Sequence, residues 1–272
     1  MKEKSIAHNG ISITFWEEGT GFPIVFIHGF PFDHEAWSEF VKPFVPEFRI
    51  ILPDNSGFGK SSLPTEDLSM AFYADCIKAI LDSEKISSCV MIGHSMGGYM
   101  VLNFAQRFPN YLKGFGLFSS TAYADDDAKK QNRIEVAENA RKASGADFVN
   151  GMLHKLFGEK YAAAHPDKIL ELKNYFGSVA TSEGIAQASL AMGKRADTTD
   201  VLKNSKVPVL FIIGSDDKVV PPEKTLPLTH LPERSRIVTI DAGHMGMIEA
   251  KEKSQEAVKQ FIELCRGNKQ SS

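Results

Sequence analysis

VMIGHSMGG, residues 90–98, is the stretch whose reading decides the fold. The apolar run over 89–92 reads as a short buried strand. Gly93-His94-Ser95-Met96-Gly97 matches G-x-S-x-G, and a helical pattern follows over 99–108. Strand, tight turn and helix form the context in which this motif has meaning. Ser95 then stands on a strained turn with its hydroxyl above the sheet edge. Gly93 and Gly97 fit because a Cβ there would crowd the turn, and Gly98 lets the new helix pack close to its neighbours. The helix N-terminus under Ser95 offers free N–H groups and a positive dipole end to a developing anion. On this stretch alone, an ordinary strand-to-helix loop remains the other reading.

Outward from Ser95, strands and helices alternate. Asn9-Gly10 is a hairpin signal between runs at 5–8 and 11–17. Ile11, Ile13 and Phe15 alternate with Ser12 and Thr14, as in a half-buried antiparallel strand. The run 24–27 is apolar throughout and reads as an inner parallel strand. Further strands are expected at 48–52, 112–118, 207–213 and 236–240. Helices are expected at 37–45, 70–81, 222–229 and 250–265, with a frayed tail over 266–272. This rhythm predicts an α/β fold: a mostly parallel eight-stranded sheet flanked by helices. It breaks after Ser119. Residues 121–199 show only helical patterns, opened by Asp125-Asp126-Asp127 at a positive helix end. The expected organisation is a core of residues 1–120 and 200–272 with a helical cap inserted at 121–199.

Length and charge narrow the function classes. At 272 residues the chain can bury a large core. Its net charge of −3, with no basic-aromatic stripe, gives no reason to expect a nucleic-acid partner. No apolar run approaches the ~18 residues of a membrane helix, and the N-terminus has no apolar signal region. Cys76, Cys89 and Cys265 are scattered and odd in number, which fits reduced thiols in a cytoplasmic protein. No His, Cys and carboxylate spacing suggests a metal. Gly59-Lys60-Ser61 resembles the end of a phosphate loop, but Asp54 stands where that motif needs its first glycine. No cofactor is therefore expected, and His34, His154 and His165 are assigned no role.

A serine nucleophile needs a base, a group that orients the base, and donors for the oxyanion. Sites in open α/β sheets lie at the carboxyl ends of strands. There the sequence places Gly214-Ser215-Asp216-Asp217, Ala242-Gly243-His244 and His28-Gly29-Phe30. The order Ser, Asp, His is that of an α/β-hydrolase.

With these residues in place, the chain resembles an α/β-hydrolase fold protein of the small esterase type, over roughly residues 6–264. The matching segments are HGF at 28–30, D-x-x-G-x-G-x-S at 54–61, GHSMGG at 93–98, G-S-D-D-x-x-x-P at 214–221 and GH at 243–244. The resemblance implies Ser95 as nucleophile, His244 as general base and Asp217 as the acid, with Asp216 as the alternative acid. It implies the backbone N–H groups of Phe30 and Met96 as oxyanion donors, and His28 as a prop for their loop. Some relatives carry the acid after the strand that follows the nucleophile helix, a place taken here by Ser119-Ser120. Asn55-Ser56 departs from the residues relatives often have, without an expected effect on the chemistry.

The expected function is hydrolysis of small to medium carboxylic esters through an acyl-enzyme, without metal or cofactor. Met152, Leu156, Phe157 and Met192 are the expected pocket-facing residues of the cap. Two alternatives remain. One is C–C bond hydrolysis or perhydrolysis with the same triad, since fold and triad do not fix the substrate. The other is a ligand-binding signalling protein that uses the capped pocket as a sensor.

Overall fold

Unbroken apolar runs make strands buried on both faces, and the protein is built on a row of them. The computed structural model describes residues 1–267. Its strands are β1 (Lys2–His8), β2 (Ile11–Glu18), β3 (Phe22–Ile27), β4 (Phe48–Pro53), β5 (Cys89–His94), β6 (Leu112–Phe118), β7 (Val209–Gly214) and β8 (Ser235–Ile240). They form one sheet in the order β1-β2-β4-β3-β5-β6-β7-β8. β2 runs antiparallel to β1 and β4, and all other neighbours are parallel. Successive residues serve opposite layers: Val25, Ile27, Met91 and Phe211 pack into one core, Ile24, Phe26, Val90 and Leu210 into the other. The Asn9-Gly10 turn has positive φ at both residues, 48° and 77°, as the tight hairpin needs.

The helices in chain order are α1 (Glu35–Val41), α2 (Met70–Ser83), α3 (Met96–Arg107), α4 (Asp127–Lys142), α5 (Gly145–Met152), α6 (Glu159–Ala164), α7 (Pro166–Val179), α8 (Ser182–Gly193), α9 (Thr199–Lys203), α10 (Pro222–Thr225), α11 (Gly246–Glu249) and α12 (Lys251–Cys265). α2 and α3 cover one face of the sheet, α1 and α12 the other. Between β6 and β7 the chain forms helices alone, with α4 packed on α8 and α5 on α7. Because β4 and β5 flank β3 on opposite sides, the strand order reverses there. The loops after β3 and β5 therefore border a crevice at the carboxyl edge.

Several boundaries differ from the sequence reading, each for a local reason. β7 starts at Val209 rather than 207, because Pro208 has no N–H to give a ladder. The helix expected over 222–229 is one α turn followed by a 3-10 turn, Leu226–His230, with Pro227 at the junction. α3 starts at Met96, three residues before its apolar pattern becomes visible. Only part of the acidic triplet caps a helix. Asp126 accepts the Lys129 N–H at 2.8 Å as the N-cap of α4, whereas Asp125 is buried between Arg133 and Arg195. The part of the expected frayed tail beyond Gly267 lies outside the described residues. No described helix is long and apolar enough to cross a membrane.

One buried cluster was not announced by any sequence spacing. Asp33, His34 and Asp54 bring their ligand atoms within 4.8 Å of one another, a set able in principle to hold a cation. Their oxygens are already engaged. Asp54 Oδ1 accepts the His34 N–H at 3.0 Å and lies 2.7 Å from Nδ1, and Oδ2 accepts the Lys60 N–H at 3.0 Å. Asp33 accepts the Glu35 N–H and the Tyr175 hydroxyl, each at 3.0 Å. The arrangement is that of a structural ion pair, roofed by Trp16 stacked 4.3 Å from the His34 ring.

Burial opposes charge on His34, but the hydrogen bonds to Asp54 and Glu35 and the charges of Asp54 and Asp33 raise its pKa to about 9 from 6.5. The folded state thus holds this proton more tightly than the unfolded chain. The stabilisation is complete below pH 6.5 and is lost as pH rises through 9. His34→Gln should therefore lower Tm more at about pH 6 than at about pH 10, read in paired thermal melts. Equal losses at both values would show that the pair's charge adds no stability.

Candidate active site

The turn at Ser95 is held in a conformation that side chains other than glycine rarely adopt, with φ 51° and ψ −116°. Three bonds keep it there. Its N–H donates to Phe118 O at 2.9 Å, and its carbonyl accepts the Gly98 N–H at 2.9 Å and the Ser120 hydroxyl at 2.8 Å. The flanking glycines permit the approach of α3 to the sheet. A Cβ on Gly93 would lie 2.3 Å from Gly97 O, and one on Gly97 would lie 2.4 Å from Ile27 O. Both contacts are with backbone, so neither can swing aside.

His244 and Asp217 come from the loops after β8 and β7. The imidazole Nδ1 lies 2.8 Å from Asp217 Oδ2, while Asp217 Oδ1 accepts the Val219 and Val220 N–H groups at 2.9 Å each. Burial pushes the Asp217 pKa up. The charge and hydrogen bond of His244 and the two amides outweigh it and leave the carboxyl below its ordinary value. An ionised Asp217 accepts a hydrogen bond from Nδ1–H, which leaves Nε2 with the free lone pair. Asp216 is elsewhere: it pairs with Lys218 at 2.6 Å and accepts the Glu159 N–H at 3.1 Å. The Ser95 hydroxyl is not hydrogen-bonded to the imidazole in this conformation, and such bonds often tighten only around a substrate.

The loop after β3 is fastened by His28. Asn55 N–H donates to His28 Nε2 at 2.9 Å, so Nδ1 carries the hydrogen and donates to Gly29 O at 2.9 Å. Burial pushes this imidazole down to about 4, so it is neutral. Asn55 also donates from its side chain to His28 O at 3.1 Å. The departure noted at Asn55 therefore does bear on the site, by locking the loop that carries Phe30. His94 is a second buried neutral imidazole, pushed down to about 3 by burial. Its Nε2 donates to His244 O at 2.9 Å, and its ring lies 4.8 Å from that of His244. Among the described residues, neither the Phe30 nor the Met96 N–H has a protein acceptor.

Ser95, His244 and Phe30 open onto a cavity of about 610 Å³. Met152, Leu156 and Met192 line it as the sequence suggested. Phe157 does not. It is buried in the core on the α1 and α12 side of the sheet and stacks on Tyr161 at 5.6 Å, because the 3-10 turn before it rotates it away. The sequence reading missed Phe148, Arg133 and Arg195, which line the same cavity. Arg195 is buried over the Tyr99 ring at 4.0 Å and pairs with Asp125 at 2.8 Å. Apart from the aspartate at the head of the insertion, nothing in the local sequence marks it.

A sequence profile described as the alpha/beta hydrolase fold matches residues 23–251. An esterase from Thermogutta terrifontis, whose structure holds malate, is similar at 31% identity and a TM-score of 0.92, over 97% of this chain and 99% of its own. The chain is also similar to (E)-2-((N-methylformamido)methylene)succinate hydrolase of Acinetobacter baylyi, at 25% identity over 260 residues, 94% of this chain and 95% of that enzyme. A third relative is 2-hydroxy-6-oxo-6-(2'-aminophenyl)hexa-2,4-dienoic acid hydrolase of Metapseudomonas resinovorans, at 26% identity over 276 residues, 96% of this chain and 90% of that enzyme.

The packing of Gly97 gives a direct test of the turn. Gly97→Ala should destabilise the protein by about 1–3 kcal/mol or more, since its Cβ meets backbone. Denaturant unfolding measures this, and a loss below about 0.5 kcal/mol would show that α3 has slack against β3.

Proposed function

The chain belongs to the α/β-hydrolase fold family, and we propose that within it the protein is a serine hydrolase of small to medium carboxylic esters. The observation that carries this reading is the Asp217 carboxylate on Nδ1 of an imidazole that opens into the same cavity as the strained serine. In the proposed mechanism the Ser95 hydroxyl attacks the ester carbonyl while His244 Nε2 takes its proton. Asp217 keeps the tautomer and stabilises the imidazolium that forms. The free N–H groups of Phe30 and Met96 receive the oxyanion, a contribution of roughly 2.7–4 kcal/mol per donor in measured cases. His244 returns the proton to the leaving alcohol. It then activates a water that releases the acyl group and restores Ser95.

The same proposal assigns residues 121–199 as a cap over a core formed by 1–120 and the chain from 200 on. Met152, Leu156 and Met192 support this, since all three line the cavity that Ser95 faces. A second reading, C–C bond hydrolysis of a carboxylated substrate, is favoured by Arg133 and Arg195 in that cavity. Two similar enzymes act, by their names, on a succinate and a dienoic acid. Esters with and without a terminal carboxylate, assayed beside a diketone acid, separate the two readings.

Ser95→Ala should abolish ester turnover without unfolding the protein, and a serine-directed phosphonate should label Ser95 alone. Asp217→Asn should lower kcat by about 10⁴, because the amide favours the wrong tautomer. Asp216→Asn, altering a half-buried carboxylate that does not touch the imidazole, should cost a few-fold at most. The reverse ranking would move the acid to Asp216.

Pocket shape should decide chain-length preference. Met152→Ala, Leu156→Ala and Met192→Ala should each shift kcat/KM between p-nitrophenyl esters by roughly 10–200-fold per methylene-sized change. Phe157→Ala, removed from the cavity, should leave the profile in place. An unchanged profile in all three folded lining variants would refute the proposed roof.

A further inference from the structure

Glu249 is a half-buried carboxylate with no cationic partner among the described residues, an arrangement that costs stability unless hydrogen bonds replace the lost water. Three backbone N–H groups do so. Oε2 accepts from Gly158 at 2.8 Å and Gly243 at 3.0 Å, and Oε1 accepts from Met245 at 3.0 Å. The Met245 bond has a local explanation, because Glu249 closes the first turn of α11 onto its own N-cap. The other two do not. Gly243 and Met245 bracket His244, whereas Gly158 lies 91 residues before Glu249, in the helical segment between β6 and β7.

Two further bonds join the same places. His244 N–H donates to Leu156 O at 2.7 Å, and Glu159 N–H donates to Asp216 Oδ2 at 3.1 Å. The loops after β7 and β8 are thus both tied to residues 156–159. The approach is close: a Cβ on Gly243 would lie 2.3 Å from Gly158 N and 2.7 Å from Phe157 C. Burial raises the Glu249 pKa, and the three N–H groups oppose that rise.

We propose that Glu249 is a positioning residue: it locks the His244 loop and the 156–159 turn into one body, so that the general base is placed by the same segment that roofs the cavity. This rests on the proposed function, which gives His244 its role. Glu249 touches no substrate. It acts through the backbone on either side of His244, and a displacement near 1 Å at such a group costs on the order of 10²-fold in rate.

The test uses the full chain with p-nitrophenyl acetate, whose small acyl group does not probe the roof. Glu249→Gln keeps the shape but sets an NH₂ against an N–H donor, and Glu249→Ala removes all three bonds. The Gln variant should lose about ten-fold or more in kcat with KM within about two-fold and folding retained, and phosphonate labelling of Ser95 should slow in parallel. Hydrogen exchange should quicken at Gly158 together with Gly243 and Met245. If the Ala variant folds, added formate should restore part of its kcat. If it does not fold, the Gln variant decides alone. A folded Gln variant with parental kcat overturns the proposal, as does faster exchange at Gly243 and Met245 with Gly158 unchanged. Ser95→Ala runs beside these. Turnover by that variant would remove the serine reading, while the exchange data would still decide whether Glu249 joins the two segments.

Discussion

The site depends on the closeness of α3 to the sheet beneath it. Ser95 at φ 51° stores of order 1–3 kcal/mol of strain, which must be offset by the packing around it. The offset is visible. Gly93, Gly97 and Gly98 have no side chains where a Cβ would strike backbone or Ser120, and the Ser120 hydroxyl fixes the Ser95 carbonyl. The close approach also leaves the Met96 N–H at the head of α3 without a protein acceptor, facing the side from which the helix dipole favours an anion. Strain, free donor and a serine at the cavity wall are thus one consequence of one packing decision.

Around that turn, four histidines show how surroundings set the role of one side chain. His28 and His94 are fully buried without a carboxylate on either ring and stay neutral, so they serve as hydrogen-bonding props. His34 is also buried but lies 2.7 Å from Asp54, which keeps it charged over most of the pH range. His244 has a carboxylate on Nδ1 and an open cavity beyond its ring, the one setting of the four suited to passing a proton. The props connect in series. Asp54 orders the turn that presents Asn55, Asn55 holds His28, and His28 holds the carbonyl of Gly29 beside Phe30.

Most of the fold was legible because its signals are local. Unbroken apolar runs gave the inner strands, Asn9-Gly10 the hairpin, and G-x-S-x-G between strand and helix the central turn. The proposed Ser95, Asp217 and His244 were legible for the same reason: each follows a recognisable strand end. What stayed hidden depends on contacts between distant segments. Glu249 stands just ahead of the last expected helix, with nothing in the sequence to mark it until Gly158 arrives beside it. Phe157 reads as pocket-facing until the 3-10 turn at Leu153–Leu156 shifts the helical phase. Asp125 reads as a dipole partner, since the triplet offers no sign that its first member turns inward to two arginines.

Those arginines explain how the sheet accepts so long an interruption. β6 and β7 are hydrogen-bonded neighbours, although one ends at Phe118 and the other begins at Val209. The two ends of the intervening segment are clasped to each other. Thr198 N–H and its hydroxyl both donate to Ala122 O, at 2.9 and 3.1 Å. Arg195 donates to Tyr123 O at 3.0 Å and pairs with Asp125, which also holds Arg133. A buried ion pair of this kind is weak evidence for stability, but a slipped neck would leave charges buried and unpaired, at a cost of about 3–5 kcal/mol. Closing the neck there returns the chain to β7 as though a short loop had joined the strands. The helices beyond it then meet the sheet edge again at residues 156–159, against the loops of Asp216 and His244. The segment between β6 and β7 is thus held at two places, by backbone and side-chain bonds at its neck and by a second set at residues 156–159.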